Sequence, residues 1–164
     1  MLTLYLLRHA KSSWADESMR DFDRPLANRG REACAIIGEL IAEKGIDFDL
    51  VLVSTAVRTR ETLDLIKQRA KFNGEVRYDE RIYEATTSQL LEVISEMESD
   101  RESVLLVGHN PGIEDLLELL TRQHVRITTA NFAKIDINVP TWSANLVSNG
   151  TLDWIIRPED ISHG

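Results

Sequence analysis

Short apolar runs alternate with helix-like patterns along most of the chain. Three of these runs, Leu2–Leu7, Asp49–Ser54 and Ser103–Val107, are continuous rather than alternating, as is typical of strands buried on both faces of a sheet. Glu75–Tyr78 is predicted to be a further short strand. Because strands that alternate with helices favour parallel pairing, these runs predict a mainly parallel α/β sheet.

Between the strands, apolar residues recur every three or four positions, which predicts four helices. We expect Gly45 to cap the end of the first helix, and Ser54 or Thr55 to cap the start of the second. Pro111 is expected near the first turn of the fourth. The predicted helices cover residues 31–44, 55–70, 88–97 and 113–123.

The last third of the chain changes its period. Residues 132–137 alternate between apolar and polar, and Ser148-Asn149-Gly150 separates two further runs, Ala144–Val147 and Leu152–Ile156. Asn-Gly between two such runs predicts a β-hairpin. The fold class is therefore predicted to be α/β, a three-layer α/β/α sandwich whose mostly parallel sheet has an antiparallel C-terminal edge. At 164 residues the chain is expected to form one domain over 1–164.

Composition narrows the choice of partners. The chain is 43% hydrophobic, enough for a core, and carries 19 basic against 27 acidic residues, a net charge of −8. This charge argues against a nucleic-acid partner, and any anion would require a local pocket of cations. The single cysteine, Cys34, cannot form an internal disulfide and is predicted to be a small core residue. Since no apolar run is long enough for a membrane span or signal segment, we expect no membrane partner and a cytoplasmic protein.

The three most apolar strands end in similar chemistry. Arg8-His9 follows the first, Ser54 and Arg58 the second, and His109-Asn110 the third. Because the carboxyl ends of parallel strands meet at one edge, beside helix N-termini, these side chains are predicted to converge on an anion.

Each element also has an ordinary explanation. Arg8-His9 alone is compatible with surface chemistry, and Arg58 with solvation, although the helix dipole disfavours a cation in a first helical turn. Arg60 is expected on an exposed face or beside an acid, and His109 could merely shape a turn. Three such strand ends together favour a shared site.

The segments "LLRHAKSSW", "DRPLANRG", "STAVRTRET" and "LLVGHNPG" occur in this order. The chain thereby resembles the histidine phosphatase (phosphoglycerate mutase-like) superfamily, and within it the small phosphohistidine phosphatase branch of SixA type. The resemblance runs from Met1 to about residue 120 and implies the phosphoglycerate mutase-like fold. The superfamily more often has Arg-His-Gly where this chain has Ala10, a small residue also at home in the SixA-type branch.

The resemblance implies that His9 is the nucleophile and forms a phosphohistidine intermediate. Arg8, Arg58 and His109 would surround the phosphoryl oxygens, a task that suits the permanently charged, forked guanidinium. Ser12 lies where relatives often have Ser or Thr, so it either donates a hydroxyl to the phosphate or is an exposed loop serine.

A general acid is the least defined part of this machinery. Glu84 lies in the region where mutase-like relatives have a catalytic glutamate; the alternative is a loop carboxylate paired with a nearby arginine such as Arg81. The role of Trp14, in the core or as a wall of the pocket, stays open.

No metal or other cofactor is expected, because two histidines without a nearby third ligand do not complete a zinc site.

A phosphohistidine substrate would depend least on a general acid, since transfer of a phosphoryl group between imidazoles is nearly thermoneutral. The short connections leave little material for a lid, which favours an open pocket and a phosphorylated protein as substrate. A phosphatase of a small phosphoester, a non-catalytic phosphate-binding module and a purely structural domain are the alternatives.

Overall fold

Six strands form one mixed sheet in the computed structural model, which describes residues 1–161. The spatial order is β3-β2-β4-β1-β5-β6. The first four strands are mutually parallel, whereas β5 is antiparallel to both β1 and β6. The prediction of a mostly parallel sheet with an antiparallel C-terminal side is therefore confirmed. The strands are β1 Leu2–Arg8, β2 Leu50–Val53, β3 Glu75–Tyr78, β4 Ser103–Gly108, β5 Phe132–Ile137 and β6 Gly150–Ile156.

Helices cover both faces of the sheet, as the three-layer prediction requires. The core on one face contains α1 and α2, with α5 against α1, and the core on the other contains α3 and α4. No helix within residues 1–161 is long and apolar enough to cross a membrane. The helices are α1 Asn28–Lys44, α2 Val57–Lys67, α3 Thr87–Ser95, α4 Gly112–Thr121 and α5 Pro158–Ile161, with short 3-10 turns at Asp21–Asp23 and Glu80–Ile82.

The central strand β1 explains why its sequence is continuously apolar. Leu4 and Leu6 pack into the α3–α4 core, whereas Tyr5 and Leu7 pack into the α1–α2 core. Because successive side chains of a strand point to opposite faces, a strand covered on both sides needs apolar residues at every position. Cys34 is fully buried in the α1–α2 core, as predicted.

Strand register brings the three predicted strand ends together. Arg8 lies opposite Gly108 in the β1–β4 pair, and Val53 lies opposite Val107 in the β2–β4 pair. The residues that follow these strands therefore emerge side by side at the carboxyl edge of the sheet.

The start of α2 differs from the prediction. Gly45 caps α1 in the left-handed conformation as expected, but the N-cap of α2 is Ala56, without a side-chain capping bond. The prediction of Ser54 or Thr55 as that cap is wrong. The Ser54 hydroxyl lies against the His109 ring and, among the backbone N–H groups of residues 1–161, accepts only from that of Ala56, the residue before the helix, at 3.3 Å.

The predicted hairpin around Asn149-Gly150 is also wrong. Strand β6 pairs with β5, and Ala144–Val147 lies in turns of the long connection between them. Trp142 and Leu146 are buried in the α3–α4 core, so this connection contributes apolar side chains to the core. The strand that pairs with β6 is instead β5, whose residues alternate between apolar and polar.

Candidate active site

His9 lies immediately beyond β1, with 7% of its surface exposed. Its backbone N–H donates to the Gly108 carbonyl at 3.0 Å, which fixes it at the edge of the sheet. The ring Nδ1 lies 2.7 Å from the Ala10 carbonyl oxygen. Since a carbonyl can only accept, Nδ1 carries the proton and Nε2 of the neutral ring has a free lone pair. The Ala10 N–H donates in turn to Thr62 on α2, at 3.0 Å, and fixes the turn.

His109 follows β4 and lies against His9, with ring centroids 5.2 Å apart. Its Nε2 lies 2.7 Å from the Ser54 hydroxyl oxygen, and the Tyr83 ring packs edge-on against it at 5.3 Å. The buried Nδ1 has no hydrogen-bond partner within the described part of the chain. An unsatisfied buried nitrogen at a strand end indicates a position prepared for a ligand atom.

Both histidines are neutral at physiological pH. Burial lowers the pKa of His9 to about 4, and the charges of Arg58, Arg8 and Arg24 add to this effect, although the Ala10 hydrogen bond opposes it. Burial likewise lowers the pKa of His109 to about 3, with His9 and Arg58 contributing. Buried imidazole among cations favours the uncharged form, which is also the nucleophilic one.

Two of the predicted arginines flank this pair. Arg8 donates from Nη1 to the Ile127 carbonyl at 3.1 Å, and burial lowers its pKa. Arg58, in the first turn of α2, donates to the Asp21 carbonyl at 2.7 Å and to the Asp21 carboxylate at 3.0 Å. The Nε atoms of Arg8 and Arg58 are buried and have no partner among residues 1–161. Arg60 points elsewhere: it is exposed and lies 5.3 Å from the Tyr78 ring.

A third arginine, Arg24, belongs to the same group; it is buried, and its charge contributes to the low pKa of His9. It donates to Ser13 O at 3.2 Å, to the Asp21 carboxylate at 2.8 Å and to the Ser12 hydroxyl. Its guanidinium carbon lies 3.2 Å from the Trp14 ring centroid. Ser12 is 6% exposed and Trp14 is 66% exposed. The alternatives of Ser12 as an exposed loop serine and Trp14 as a core residue are therefore wrong.

Asp21 links these arginines. It accepts hydrogen bonds from Arg24, Arg58 and, at 2.6 Å, the Tyr83 hydroxyl. Burial alone would raise the pKa of Asp21, but these hydrogen bonds lower it to about 2. Burial and the Asp21 hydrogen bond raise the pKa of Tyr83 to about 12. Asp21 is thus ionised and Tyr83 protonated at neutral pH.

Glu84 lies beside the histidine–arginine group, in a cleft of about 620 Å³ that Arg58 and His109 also line. It is exposed and has a positive φ of 52°, a conformation that costs energy for a residue other than glycine. The alternative of a pair with Arg81 is wrong, because Arg81 bonds to Asp79 and Glu96 instead.

Sequence reasoning missed Arg24, Asp21 and Tyr83 as members of this group. Arg24 was within reach, since it lies in the motif "DRPLANRG". Asp21 and Tyr83 carry no comparable signal: Asp21 lies only three residues from Arg24, but 37 residues from Arg58 and 62 from Tyr83 along the chain. Within residues 1–161, no group of three or more His, Cys, Asp or Glu side chains is placed to hold a metal ion.

Comparison with solved structures places the fold. One solved structure is that of a candidate phosphohistidine phosphatase SixA from Agrobacterium tumefaciens. It is 30% identical to this chain, with a TM-score of 0.83 over 96% of this chain and 98% of that one. The protein histidine phosphatase SixA complexed with tungstate superposes with a TM-score of 0.84 over 98% and 99% of the two chains, at 18% identity. The architecture is the phosphoglycerate mutase-like fold of SixA-type proteins.

Sequence comparison gives the family. An uncharacterised chloroplast protein of Arabidopsis thaliana is 31% identical over 160 residues, 92% of this chain and 73% of its own length. The family model for the histidine phosphatase superfamily, branch 1, matches residues 4–90. The chain therefore belongs to the histidine phosphatase superfamily, a membership that implies phosphatase activity.

Proposed function

We propose that this protein is a metal-independent phosphatase that removes phosphate from phosphohistidine on a protein, through a phosphohistidine intermediate at His9. One observation carries the proposal: the Ala10 carbonyl holds the proton on Nδ1 of a buried His9. The Nε2 lone pair is therefore ready to attack without prior deprotonation.

The reaction divides into two displacements at phosphorus. In the first, a bond forms between His9 Nε2 and phosphorus while the bond from phosphorus to the substrate nitrogen breaks, and the leaving imidazole takes up a proton from solvent. In the second, water attacks phosphorus, the bond from phosphorus to His9 Nε2 breaks, and inorganic phosphate leaves with a proton returned to solvent, which restores neutral His9. Splitting the transfer in this way replaces one difficult step by two easier ones.

The surrounding cations suit the transferring group. In both steps negative charge is spread over the three equatorial oxygens of phosphorus. Arg8, Arg24 and Arg58 are all close enough for their charges to lower the pKa of His9. The free Nε groups of Arg8 and Arg58 are available as donors to these oxygens. We assign His109 to the same task, through its unpartnered Nδ1.

Among the candidate substrates, phosphohistidine depends least on a proton donor from the protein. Asp21, with a pKa of about 2, is ionised and cannot serve as that donor at neutral pH. Glu84 is the carboxyl group at the cleft to which we assign the role for substrates whose leaving group is an alkoxide. The likeness to the solved SixA structures supports phosphohistidine as the substrate class, and cytoplasmic location remains a prediction.

The test is to incubate the protein with a phosphohistidine protein and follow the acid-labile phosphoenzyme. We expect the wild type to form it, and His9→Ala to form none and to lose turnover by at least about 10³-fold. His124→Ala is the matched control, since His124 is exposed and lies three residues beyond α4. Retained turnover in His9→Ala, or loss of turnover with a chelator, would contradict the mechanism.

Because Glu84 lies in the cleft and could protonate an alkoxide leaving group, a second candidate function is a phosphatase of small phosphoesters. Turnover of a phosphohistidine protein is therefore compared with that of a panel of sugar and nucleotide phosphates. A much higher kcat/KM for a phosphoester would move the assignment to that class. Phosphate binding without turnover of either class would indicate a non-catalytic module.

A further inference from the structure

The cleft beside the arginine group is acidic, although an anion is to be bound next to it. Three carboxylates line the cleft, Asp21, Glu84 and Asp115, against one guanidinium, that of Arg58. Its volume of about 620 Å³ is within the range of roughly 300–1,000 Å³ typical of ligand sites. It therefore has room for much more than a phosphoryl group.

Two of these carboxylates are not neutralised by the protein. Asp21 is paired with Arg58 and Arg24. Glu84 and Asp115 are exposed, and the side chains of both lack a hydrogen-bond or ion-pair partner within residues 1–161. Glu84 lies just before α3, and Asp115 lies in the first turn of α4.

Two buried side chains that line this cleft have nitrogen atoms available to a ligand. The side chains of Arg58 and His109 are more than nine-tenths buried, and both line it. Each has a buried nitrogen without a partner among the described residues, Nε of Arg58 and Nδ1 of His109. Because buried polar atoms are normally hydrogen-bonded, these two nitrogen atoms favour a bound group as their partner.

The carboxylates of the cleft determine which charge the bound molecule should carry next to its phosphate. When Glu84 is not acting as a proton donor, its carboxylate and that of Asp115 repel a phosphoryl anion bound beside Arg58 and His109, most strongly when the substrate carries no positive charge. A cationic group attached to the same substrate would reverse the sign of this interaction. The arrangement thus discriminates among phosphorylated molecules by the charge of the part next to the phosphate.

We propose that the cleft of Glu84 and Asp115 is a subsite for an ammonium or guanidinium group adjacent to the phosphorylated group of the substrate. The inference rests on the proposed phosphatase function and specifies its substrate. A lysine or arginine beside a phosphorylated side chain of a protein supplies such a group, and so does the amine of a small phosphomonoester.

The experiment compares phosphohistidine peptides that differ only at the two residues flanking the phosphohistidine, which are lysine, norleucine or glutamate. We expect kcat/KM for the lysine peptide to exceed that for the norleucine peptide by about 3- to 20-fold, and the glutamate peptide to be poorest, as expected for exposed charge pairs. Raising the salt concentration should shrink the ratio. O-phosphoethanolamine against ethyl phosphate forms the small-molecule arm.

Variants of Asp115 test whether its carboxylate causes the preference for the lysine peptide. Asp115→Asn should bring the lysine-to-norleucine ratio toward one, and Asp115→Lys should make the glutamate peptide the better substrate. Asp100→Lys is the matched control, because Asp100 is exposed and precedes β4, at the opposite end of that strand from the site. Since Asp115 also lies where a carboxylate stabilises the α4 dipole, a changed melting temperature with an unchanged ratio would overturn the proposal.

The outcomes separate the two proposals. A wild-type ratio near one in both arms overturns the cationic subsite while leaving the phosphatase intact. Turnover of the amine ester alone keeps the subsite but contradicts the protein substrate. If nothing is turned over, the phosphatase proposal fails, and the lysine-to-norleucine ratio of dissociation constants for His9→Ala still decides the subsite.

Discussion

Arg24 is held on every side by groups close to it in sequence. The carbonyl of Ser13, the hydroxyl of Ser12 and the carboxylate of Asp21 accept its hydrogen bonds, and the Trp14 ring covers its face. The segment that begins at His9 therefore carries both the proposed nucleophile and most of the side chains that hold Arg24. Exposure of Trp14 is consistent with this supporting role, since its stacking needs one covered face only.

Replacement of Trp14 should reduce activity through Arg24. A cation–π contact at an exposed site contributes about 0.5–1 kcal/mol, so we expect Trp14→Leu to lower kcat/KM about 2- to 5-fold. Trp14→Phe should restore most of this loss, and the melting temperature should change little. Steady-state kinetics and thermal unfolding measure both.

Tyr78→Leu serves as the control, because it removes a similar ring from beneath Arg60, outside the site. Equal kinetics for Trp14→Leu and wild type would show that the stacking does not position Arg24.

Residue patterns predicted part of this site and not the rest. His9, Arg8, Arg58 and His109 were recognisable because each follows an apolar strand, and parallel strands end at a common edge. Asp21 and Tyr83 join the site from loops whose course depends on tertiary packing. Ser54 was recognised at a strand end, but local reasoning predicted that its hydroxyl caps the following helix α2. Its contact with His109 depends on the tertiary structure.

At the scale of elements, the first turn of α1 approaches the turn after His9 closely. Gly30 is buried in that turn, and a Cβ placed on it would lie 2.2 Å from the Lys11 carbonyl oxygen. The Ala27 N–H donates to the same carbonyl at 2.8 Å. Glycine is thus required by a close approach of two backbones that together set the position of the His9 turn.

Gly30→Ala should therefore destabilise the protein and impair the site. Forcing the two backbones apart is expected to cost about 1–3 kcal/mol and to lower kcat, since the His9 turn moves with Lys11. Denaturant unfolding and single-turnover kinetics test the two effects. Asn28→Ala, exposed in the same helical turn, is the control, and a Gly30→Ala variant that matched it would contradict the role of this contact.

At the scale of the whole molecule, burial of two histidines among arginines makes stability depend on pH. His9 and His109 have pKa values of about 4 and about 3 in the folded protein, against about 6.5 in an unfolded chain. Between these values the unfolded chain binds more protons than the folded one. Stability is therefore fully present above about pH 6.5 and falls as the pH drops toward 4.

We expect a loss of a few kcal/mol over this range, measured as the pH dependence of unfolding by denaturant. His9→Ala and His109→Ala should each flatten the profile, whereas His124→Ala, whose histidine is exposed and pairs with Glu118, should leave it almost unchanged. A wild-type profile flat from pH 6.5 to 4 would contradict the neutral state of the buried pair.

The sequence by itself determined the layers of this protein and the residues at its strand ends. Apolar runs and helical periods depend on which faces are buried, and burial leaves its pattern in the order of residues along the chain. Tertiary structure alone decided that β6 pairs with β5 and that Ser54 contacts His109. It also decided that Asp21 joins Arg24, Arg58 and Tyr83 beside an acidic cleft. Except for the pair of Asp21 and Arg24, which are three residues apart, these contacts join separate segments of the chain, and their partners are set by how the layers pack rather than by any local pattern.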